Sequence, residues 1–402
     1  MFAFVTTNAP FRYLKLVGDS VSGLLSLRRH AHVLASATKV HWDSGGGKLW
    51  RPPTSINLWT IAGQSFQFML SVLHKSTSLH TLQLVGAKLN PSHQLVILSI
   101  PTLKTLMLQL SHFVPTDIQM PLSSVASLSF VSSGRRDSLV HTLRLLENSL
   151  ETLEVGYLDE DIYPILETVQ LPRLTSLEHW GFYIETSGLN EFTPRASSTV
   201  TRLCITTFSS PRPLRLPDRV FPQLRELFSP WWIAVQIVPG RPVQVFHEIE
   251  ENEVESNTLQ ASLALLSQST RGIEEMRLYT LISMPRLLQL LATHVPQLQR
   301  LHLWTRIGSP MTEYLELQQT PMEGGLAALI EIHIGFVDRW AHIRPSIWCM
   351  LSAMFLWTCP ALEIAKIYVG QKITRSGARW DISSQWELKL RRIPTGIWEL
   401  LV

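Results

Sequence analysis

Cysteine is scarce in this chain, which has only three in 402 residues. The three are Cys204, Cys349 and Cys359, and none of them forms the Cys-x-x-Cys spacing of a zinc or redox site. Small secreted domains that depend on disulfides need many more cysteines than this. We therefore expect an intracellular protein, cytoplasmic or nuclear, that keeps its thiols reduced.

Charge is also limited. Charged residues make up 17% of the chain, and Lys plus Arg exceeds Asp plus Glu by only 35 − 32 = 3. The basic residues are scattered, so nucleic-acid binding is not favoured. One uncharged stretch, residues 345–362, reaches the minimum length of a membrane span, but Pro345 and Pro360 shorten its helical part to about fourteen residues. We expect a buried helix there and no membrane contact.

Signatures of catalysis and metal binding are few. The fourteen histidines include no His-Glu-x-x-His motif. Gly45–Gly47 precede Lys48, but they lack the spacing of a phosphate-binding loop, so an inter-repeat loop is expected. Asp159–Asp161 have no nucleophile beside them in the sequence and fit the start of a helix. We predict a protein without catalytic activity, cofactor or bound metal.

Leucine, by contrast, recurs in a six-residue pattern, L-x-x-L-x-L, in which other apolar residues can replace it. The clear copies are spaced by 22 to 26 residues, with one interval of 49. They begin at Leu79, Leu103, Val125, Leu150, Leu174, Val200, Leu224, Ile273 and Leu298. Such a fixed period is typical of a solenoid in which each repeat packs only on its neighbours.

The pattern extends over nearly the whole chain. The interval of 49 residues equals two periods, so a degenerate unit is expected near Val243–Val245. Weaker copies begin at Phe11, Ala37, Ser55, Leu329 and Leu362. We predict a single domain over residues 1–402, with weak repeats in 1–78, clear repeats in 79–305, and irregular repeats and a cap in 306–402. Tryptophans are expected in that cap, at Trp380, Trp386 and Trp398.

Proline occurs in phase with the repeat, two residues before the first apolar position of five units. Proline ends a preceding helix and disfavours helical geometry in the residue before it, so each one marks a helix-to-strand junction. Apolar residues at helical spacing, such as Leu287, Leu288 and Leu291, lie ahead of these junctions. The five prolines are Pro101, Pro172, Pro222, Pro296 and Pro360.

These features predict an α/β fold. The second and third apolar residues of each unit alternate with polar ones, so they point inward from a strand while their neighbours point outward. Parallel strands would form one sheet, and the wider helices would force the stack to curve. The expected architecture is a horseshoe-shaped solenoid with a parallel concave sheet and convex helices.

The motifs resemble the leucine-rich-repeat family, and within it the irregular repeats of F-box proteins, which begin with Cys-Pro-x-Leu. That entry is present at Cys359–Leu362, and Val295–Leu298 and Ile100–Leu103 keep its proline and leucine. The Asn or Cys typical of the family three residues after the last leucine is replaced, for example by Ala87. The resemblance implies substrate recognition for a ubiquitin ligase. No F-box hairpin precedes Phe11, so a Skp1-type adaptor is expected to bind only through a segment outside this chain.

The alternation rule also selects candidate binding residues, because outward residues of successive strands form columns across the sheet. Arg, Tyr and Trp dominate binding hot spots, which favours a protein partner on the concave face. Cross-strand pairs of this kind can instead serve only to stabilise the sheet. The main patch comprises Glu275, Arg277, Tyr279, Arg300, His302, Trp304, Glu331 and His333, and a second patch comprises Glu178, Trp180 and Arg202.

Three functions fit these patterns. The first is a protein-interaction module that recognises substrates as F-box receptors do. The second is a stand-alone scaffold or regulator, for instance one resembling the GTPase-regulating repeat proteins. The third is an enzyme built on a parallel β-helix, whose coils have a similar period but contain no helices; the helical apolar stretches of this chain argue against it.

Overall fold

The protein divides into two compact units, unit 1 (Met1–Val200) and unit 2 (Thr201–Val402). The assignment of the whole chain to one domain stays a prediction. The structure, a computed structural model, describes residues 13–17, 36–43, 66–117, 123–131, 136–156, 162–181, 197–207, 220–249, 256–280, 284–305, 325–336, 359–369, 372–376, 379–383, 386–392 and 398–401, with the single residues 29, 216 and 282.

Unit 1 contains a sheet of parallel strands with helices in the connections between them. In spatial order the strands are β1 (Tyr13–Val17), β2 (Lys39–Asp43), β3 (Thr81–Val85), β5 (Thr105–Gln109), β7 (Ser127–Val131), β8 (Thr152–Gly156) and β9 (Ser176–Gly181). Two short strands, β4 (Lys88–Leu89) and β6 (His112–Phe113), pair separately. The helices are α1 (residues 66–73), α2 (Pro91–Leu98), α3 (Arg136–Leu146) and α4 (Tyr163–Thr168).

Unit 2 repeats this organisation and ends differently. Its parallel strands are β10 (Arg202–Thr207), β11 (Glu226–Ser229), β12 (Val245–Glu248), β13 (Glu275–Thr280), β14 (Arg300–Thr305), β15 (Glu331–Phe336) and β16 (Ile364–Val369). The helices are α5 (Trp231–Ile237), α6 (Ser256–Leu266) and α7 (Met284–His294). The hairpin β17 (Lys372–Ser376) and β18 (Arg379–Ser383) follows, and antiparallel strands β19 (Trp386–Arg392) and β20 (Trp398–Leu401) extend the sheet beyond β16.

The predicted α/β class with parallel strands is confirmed. Each of the nine clear copies begins two residues before a strand, as Leu79 precedes Thr81, and the degenerate unit near Val243 precedes β12. The weak copies at Phe11, Ala37, Leu329 and Leu362 also precede strands. The copy at Ser55 lies outside the described residues, and β2 pairs directly with β3.

The C-terminal strands were not foreseen as strands. The predicted cap tryptophans Trp380, Trp386 and Trp398 lie in β18, β19 and β20. Among the described residues no helix combines the length and the apolar character needed to cross a membrane. Most of the uncharged stretch 345–362 lies outside those residues.

The phased prolines occupy the second position of a turn that leads into a strand. The backbone N–H of Leu298 donates to the carbonyl of Val295 at 3.1 Å around Pro296, and Leu362 donates to Cys359 at 3.1 Å around Pro360. The same bond encloses the other three prolines. The fixed φ of proline suits this position of a β-turn, and its missing N–H is not needed there. Helices end shortly before Pro101, Pro172 and Pro296, which confirms the predicted junctions there. The helices expected ahead of Pro222 and Pro360 fall on residues outside the described part of the chain.

Successive repeats are bonded to each other before each strand begins. The carbonyl of Glu274 accepts from the backbone N–H groups of Gln299 and Arg300 at 2.8 and 3.0 Å, and equivalent carbonyls do so in both units. In unit 1 a hydroxyl in the turn adds a further bond, as Ser149 Oγ donates to the carbonyl of Val125 at 2.7 Å. Thr102, Ser124 and Thr199 donate in the same way. These bonds set the register of each strand against the next.

The core lies between the sheets and the helices. Aromatic contacts join helices to alternate strand residues: Phe66 contacts Trp42 with ring centroids 5.5 Å apart, and Trp231 contacts Phe246 at 5.1 Å. Strand residues in that phase are almost all apolar and fully buried, as predicted. The residues between them therefore lie on the opposite side, which we call the outward face.

His179 interrupts the apolar pattern in unit 1. It takes the place of an inward leucine in β9, is only 4% exposed, and packs edge-on against Tyr163 of α4. Its Nδ1 has no hydrogen-bond partner within the described part of the chain. Burial lowers the pKa of His179 to about 4, because the charged imidazolium loses its hydration.

We expect His179→Leu to flatten the dependence of stability on pH. Unfolded histidine binds a proton below a pKa near 6.5, whereas His179 in the folded chain binds one only below about 4. The free energy of unfolding of the wild type should therefore fall between these pH values, by up to about 3 kcal/mol from this residue. Urea unfolding at pH 7, 5.5 and 4 measures it. An equal loss in the variant would contradict the assignment, and His80→Leu, at an exposed position, is the control.

Candidate interaction surface on unit 2

The outward face of β12 to β16 brings the residues of the main predicted patch together in register. Glu275, Arg300 and Glu331 are direct neighbours on three consecutive strands. A second line, here called the imidazole row, consists of His247, Arg277, His302, His333 and Lys366. A third line consists of Tyr279, Trp304 and Gly335. Neighbouring strands lie about 4.8 Å apart, so side chains within one line are in contact range.

Glu275 is held by basic groups from the two flanking strands, β12 and β14. Arg300 donates from Nε and Nη2 to Glu275 Oε2 at 2.7 and 2.6 Å, and His247 Nε2 lies 3.0 Å from Oε1. His302 Nε2 lies 3.9 Å from the same Oε1. The hydrogen bond from His247 lowers the pKa of Glu275 to about 2, with help from the positive charge of Arg300 and against the effect of burial. This carboxylate is ionised at neutral pH.

Glu331 has a similar arrangement one strand further on. Its Oε1 lies 2.7 Å from His333 Nε2 and accepts from Lys366 Nζ at 2.9 Å. Burial raises the pKa of Glu331, but the hydrogen bonds from His333 and Lys366 outweigh it and bring the pKa to about 2. Both carboxylates are therefore ionised at neutral pH, and basic neighbours on the same face contact them.

The imidazoles of the row contact one another. The ring centroids of His302 and His333 are 4.3 Å apart, and those of His247 and His302 are 6.2 Å apart. Burial lowers the pKa of His302 to about 4, and the nearby His333 adds to this, against the attraction of Glu275. His302 is therefore neutral at pH 7 and has one N–H to donate and one nitrogen to accept.

Tyr279 and Trp304 lie in the predicted outward positions, yet they are only 7% and 6% exposed. The Trp304 ring lies over Gly335 of the next strand, where an added Cβ would come within 1.7 Å of a ring carbon. Tyr279 donates its backbone N–H to the buried carboxylate of Glu248 at 2.7 Å. These two aromatic side chains act as packing elements, and the exposed area of the face comes from its charged and imidazole groups.

The second predicted patch is divided between the units: Glu178 and Trp180 belong to unit 1, and Arg202 belongs to unit 2. In unit 1, Trp180 Nε1 donates to Glu154 Oε1 at 3.1 Å. The Trp180 ring lies over Gly156, which is two residues after Glu154 in β8. Glu178 is next to Glu154 in the register of β8 and β9. In unit 2, Arg202 lies 4.6 Å over the ring of Phe228 and 3.9 Å from Glu226.

Two members of the face, His247 and Lys366, were missed in the sequence analysis. Both occupy outward positions of weak copies: His247 is the fifth residue of the degenerate unit at Val243, and Lys366 is the fifth residue of the copy at Leu362. The same alternation rule, applied to those copies, selects them. Their importance comes from the carboxylates that they contact, which only the register reveals.

No group of three potential ligands among the described residues has a geometry that would hold a metal ion. The side chains of Cys204 and Cys359 are both buried. Comparison of the chain with protein-family models gives no match, and comparison with curated proteins gives none either.

We expect Gly335→Ala to destabilise the protein through Trp304. A methyl group at residue 335 must displace the ring, and overpacking of this kind costs about 1–3 kcal/mol. In a double-mutant cycle the same substitution should cost far less when Trp304 is already alanine. Chemical denaturation of the four proteins measures the coupling. Additive effects would show that the ring does not rest on Gly335.

Glu275→Gln should remove the charge that Arg300 and His247 contact. We expect the free energy of unfolding at pH 7 to fall by about 1.5–3 kcal/mol, the range for hydrogen bonds to charged groups. The wild type should also lose stability as the pH drops from about 4.5, the unfolded pKa, towards the folded value of about 2, and the variant should lack that component. Glu363→Gln, on an exposed side chain, is the control. Equal acid sensitivity of the wild type and Glu275→Gln would refute the role of Glu275.

Proposed function

We propose that this chain is a leucine-rich-repeat protein whose function is to hold a protein partner, without catalysis, on the outward face of β12 to β16. The family assignment rests on the 22-to-26-residue period, the parallel strands that follow each apolar entry, and the turn that precedes them. Each repeat buries its apolar side only against its neighbours and its helix, as such arrays require.

The observation that carries the binding role is the preorganisation of this face. Glu275 and Glu331 fix five basic or imidazole side chains by contacts of 2.6 to 3.9 Å. Side chains that are already ordered lose little entropy when a partner binds, so more of the contact energy appears as affinity. The face joins groups from consecutive repeats, which makes it wide enough for a macromolecular ligand.

A role in substrate recognition for a ubiquitin ligase is the more specific form of this proposal. It rests on the resemblance of the Cys359–Leu362 entry to that of F-box repeats. The buried Cys359 accepts the turn bond from Leu362, which gives that entry a structural role. A Skp1-type adaptor would then bind a segment outside this chain, in an intracellular compartment. The alternative is a stand-alone scaffold or regulator that binds its partner without ligase attachment.

Site-directed photo-crosslinking tests where the partner binds. A photoreactive amino acid is introduced at the exposed Arg300, and, as a matched control, at the exposed Arg144 on helix α3 of unit 1. We expect covalent adducts from residue 300 in cells that make the protein, and few from residue 144. Mass spectrometry of the adducts identifies the partner. Adducts at residue 144 alone, or at neither position, would refute binding at this face.

Affinity purification of the same variants separates the two forms of the proposal. Co-purification of a Skp1-type adaptor and a cullin with the longest natural form of the chain would support a ligase receptor. A crosslinked partner that purifies without that machinery would support a stand-alone interaction module.

A further inference from the structure

The charges on this face are unevenly paired. Three cations lie on it, Arg277, Arg300 and Lys366, and they face two carboxylates. Arg300 contacts Glu275, and Lys366 contacts Glu331. Arg277 is the cation left over: no carboxylate of the described residues lies within 4.0 Å of its guanidinium. Its flanking neighbours in the imidazole row are His247 and His302.

Burial without a carboxylate neighbour among the described residues is also energetically unfavourable for Arg277. The guanidinium is largely desolvated, which lowers its pKa, and its visible support is the Trp304 ring, whose centroid is 5.6 Å from the guanidinium carbon. Removing a charged group from water is unfavourable unless an opposite charge and hydrogen bonds compensate for the lost hydration. A cation–π contact returns only part of the lost hydration energy. A carboxylate from outside could accept a forked pair of hydrogen bonds from two of the five N–H donors of this side chain.

The imidazole row places further hydrogen-bond donors for an anion on five neighbouring strands. It contains no acidic residue: its members are His247, Arg277, His302, His333 and Lys366. Neutral histidines and cations can all donate hydrogen bonds to carboxylate oxygens. At about 4.8 Å per strand the row is about 19 Å long, which corresponds to about six residues of an extended peptide.

We propose that the imidazole row binds an acidic peptide segment of the partner, laid across strands β12 to β16, with a carboxylate of Asp or Glu paired to Arg277. The inference rests on the binding role proposed for this face and adds the chemistry of the ligand. Glu275 and Glu331 run alongside the row and repel a uniformly anionic polymer. A peptide with spaced carboxylates fits this alternation of charge better than a nucleic acid does.

A peptide-display selection tests the proposal on the full chain. A library of random 12-residue peptides is selected on the wild type and, in parallel, on Arg277→Gln. We expect Asp and Glu to be enriched in the wild-type pool and that enrichment to be absent from the variant pool. Selected peptides should bind the wild type at least tenfold more tightly than Arg277→Gln, the loss expected for one charge-assisted hydrogen bond.

Three controls keep the outcome specific. Arg277→Lys retains the charge and should keep most of the affinity. Arg286→Gln removes an exposed arginine from helix α7 and should change nothing. Synthetic peptides with Gln in place of Glu and Asn in place of Asp should bind the wild type at least tenfold more weakly, a comparison that needs no protein variant and holds even if Arg277→Gln misfolds.

The opposite results would overturn the inference. They are enrichment of peptides without acidic residues, acidic peptides that bind Arg277→Gln as tightly as the wild type, or no enrichment at all. Crosslinks from residue 300 to a partner would in that case still support the interaction role, so the failure of this inference is distinguishable from the failure of the proposed function.

Discussion

The register between neighbouring strands is the constraint on which the rest of this structure depends. It is set before each strand begins, where one carbonyl accepts two backbone N–H groups of the next repeat, as Glu274 does from Gln299 and Arg300. A shift of one residue would move every leucine from the core to the outward face, at the cost of its burial. The same register aligns Arg277 with His302 and His333, so the geometry of the candidate surface follows from the packing of the core.

Much of the fold could be predicted from the sequence because two signals reinforce each other. The L-x-x-L-x-L period locates the strands, and proline at the second position of the preceding turn, as in Pro296, fixes where they start. Alternation then assigns each residue to a face. The antiparallel β19 and β20 escaped this reasoning because they lack the apolar entry. The sequence also did not predict which outward residues are exposed and which are buried. Trp304 is buried because its ring lies over Gly335, a glycine on the next strand.

Buried polar residues show how the core accommodates departures from the apolar pattern of the repeats. Glu248 ends β12 in the core phase, and its carboxylate accepts the backbone N–H of Tyr279 at 2.7 Å. Arg241 is buried after helix α5, and it donates to the carbonyls of Val220 and Pro239 at 2.7 and 3.1 Å. These side chains replace hydration by bonds to backbone groups, which is the condition for burying them. Glu248 and Arg241 thereby tie a strand end and a loop to the repeat beside each of them.

The outward face of unit 2 differs from these buried polar residues because one of its charged groups, Arg277, is not paired across the strands with a carboxylate of the described residues. Cross-strand pairing accounts for Glu275 with Arg300 and for Glu331 with Lys366, since each pair stabilises the sheet directly. It does not account for Arg277, which is desolvated on an aromatic ring with imidazoles on either side. A sheet built only for stability would have an apolar residue in that register, because an apolar side chain avoids the cost of desolvating a charge. The carboxylates are instead held one line away by other bases, so Arg277 keeps its capacity for an incoming anion.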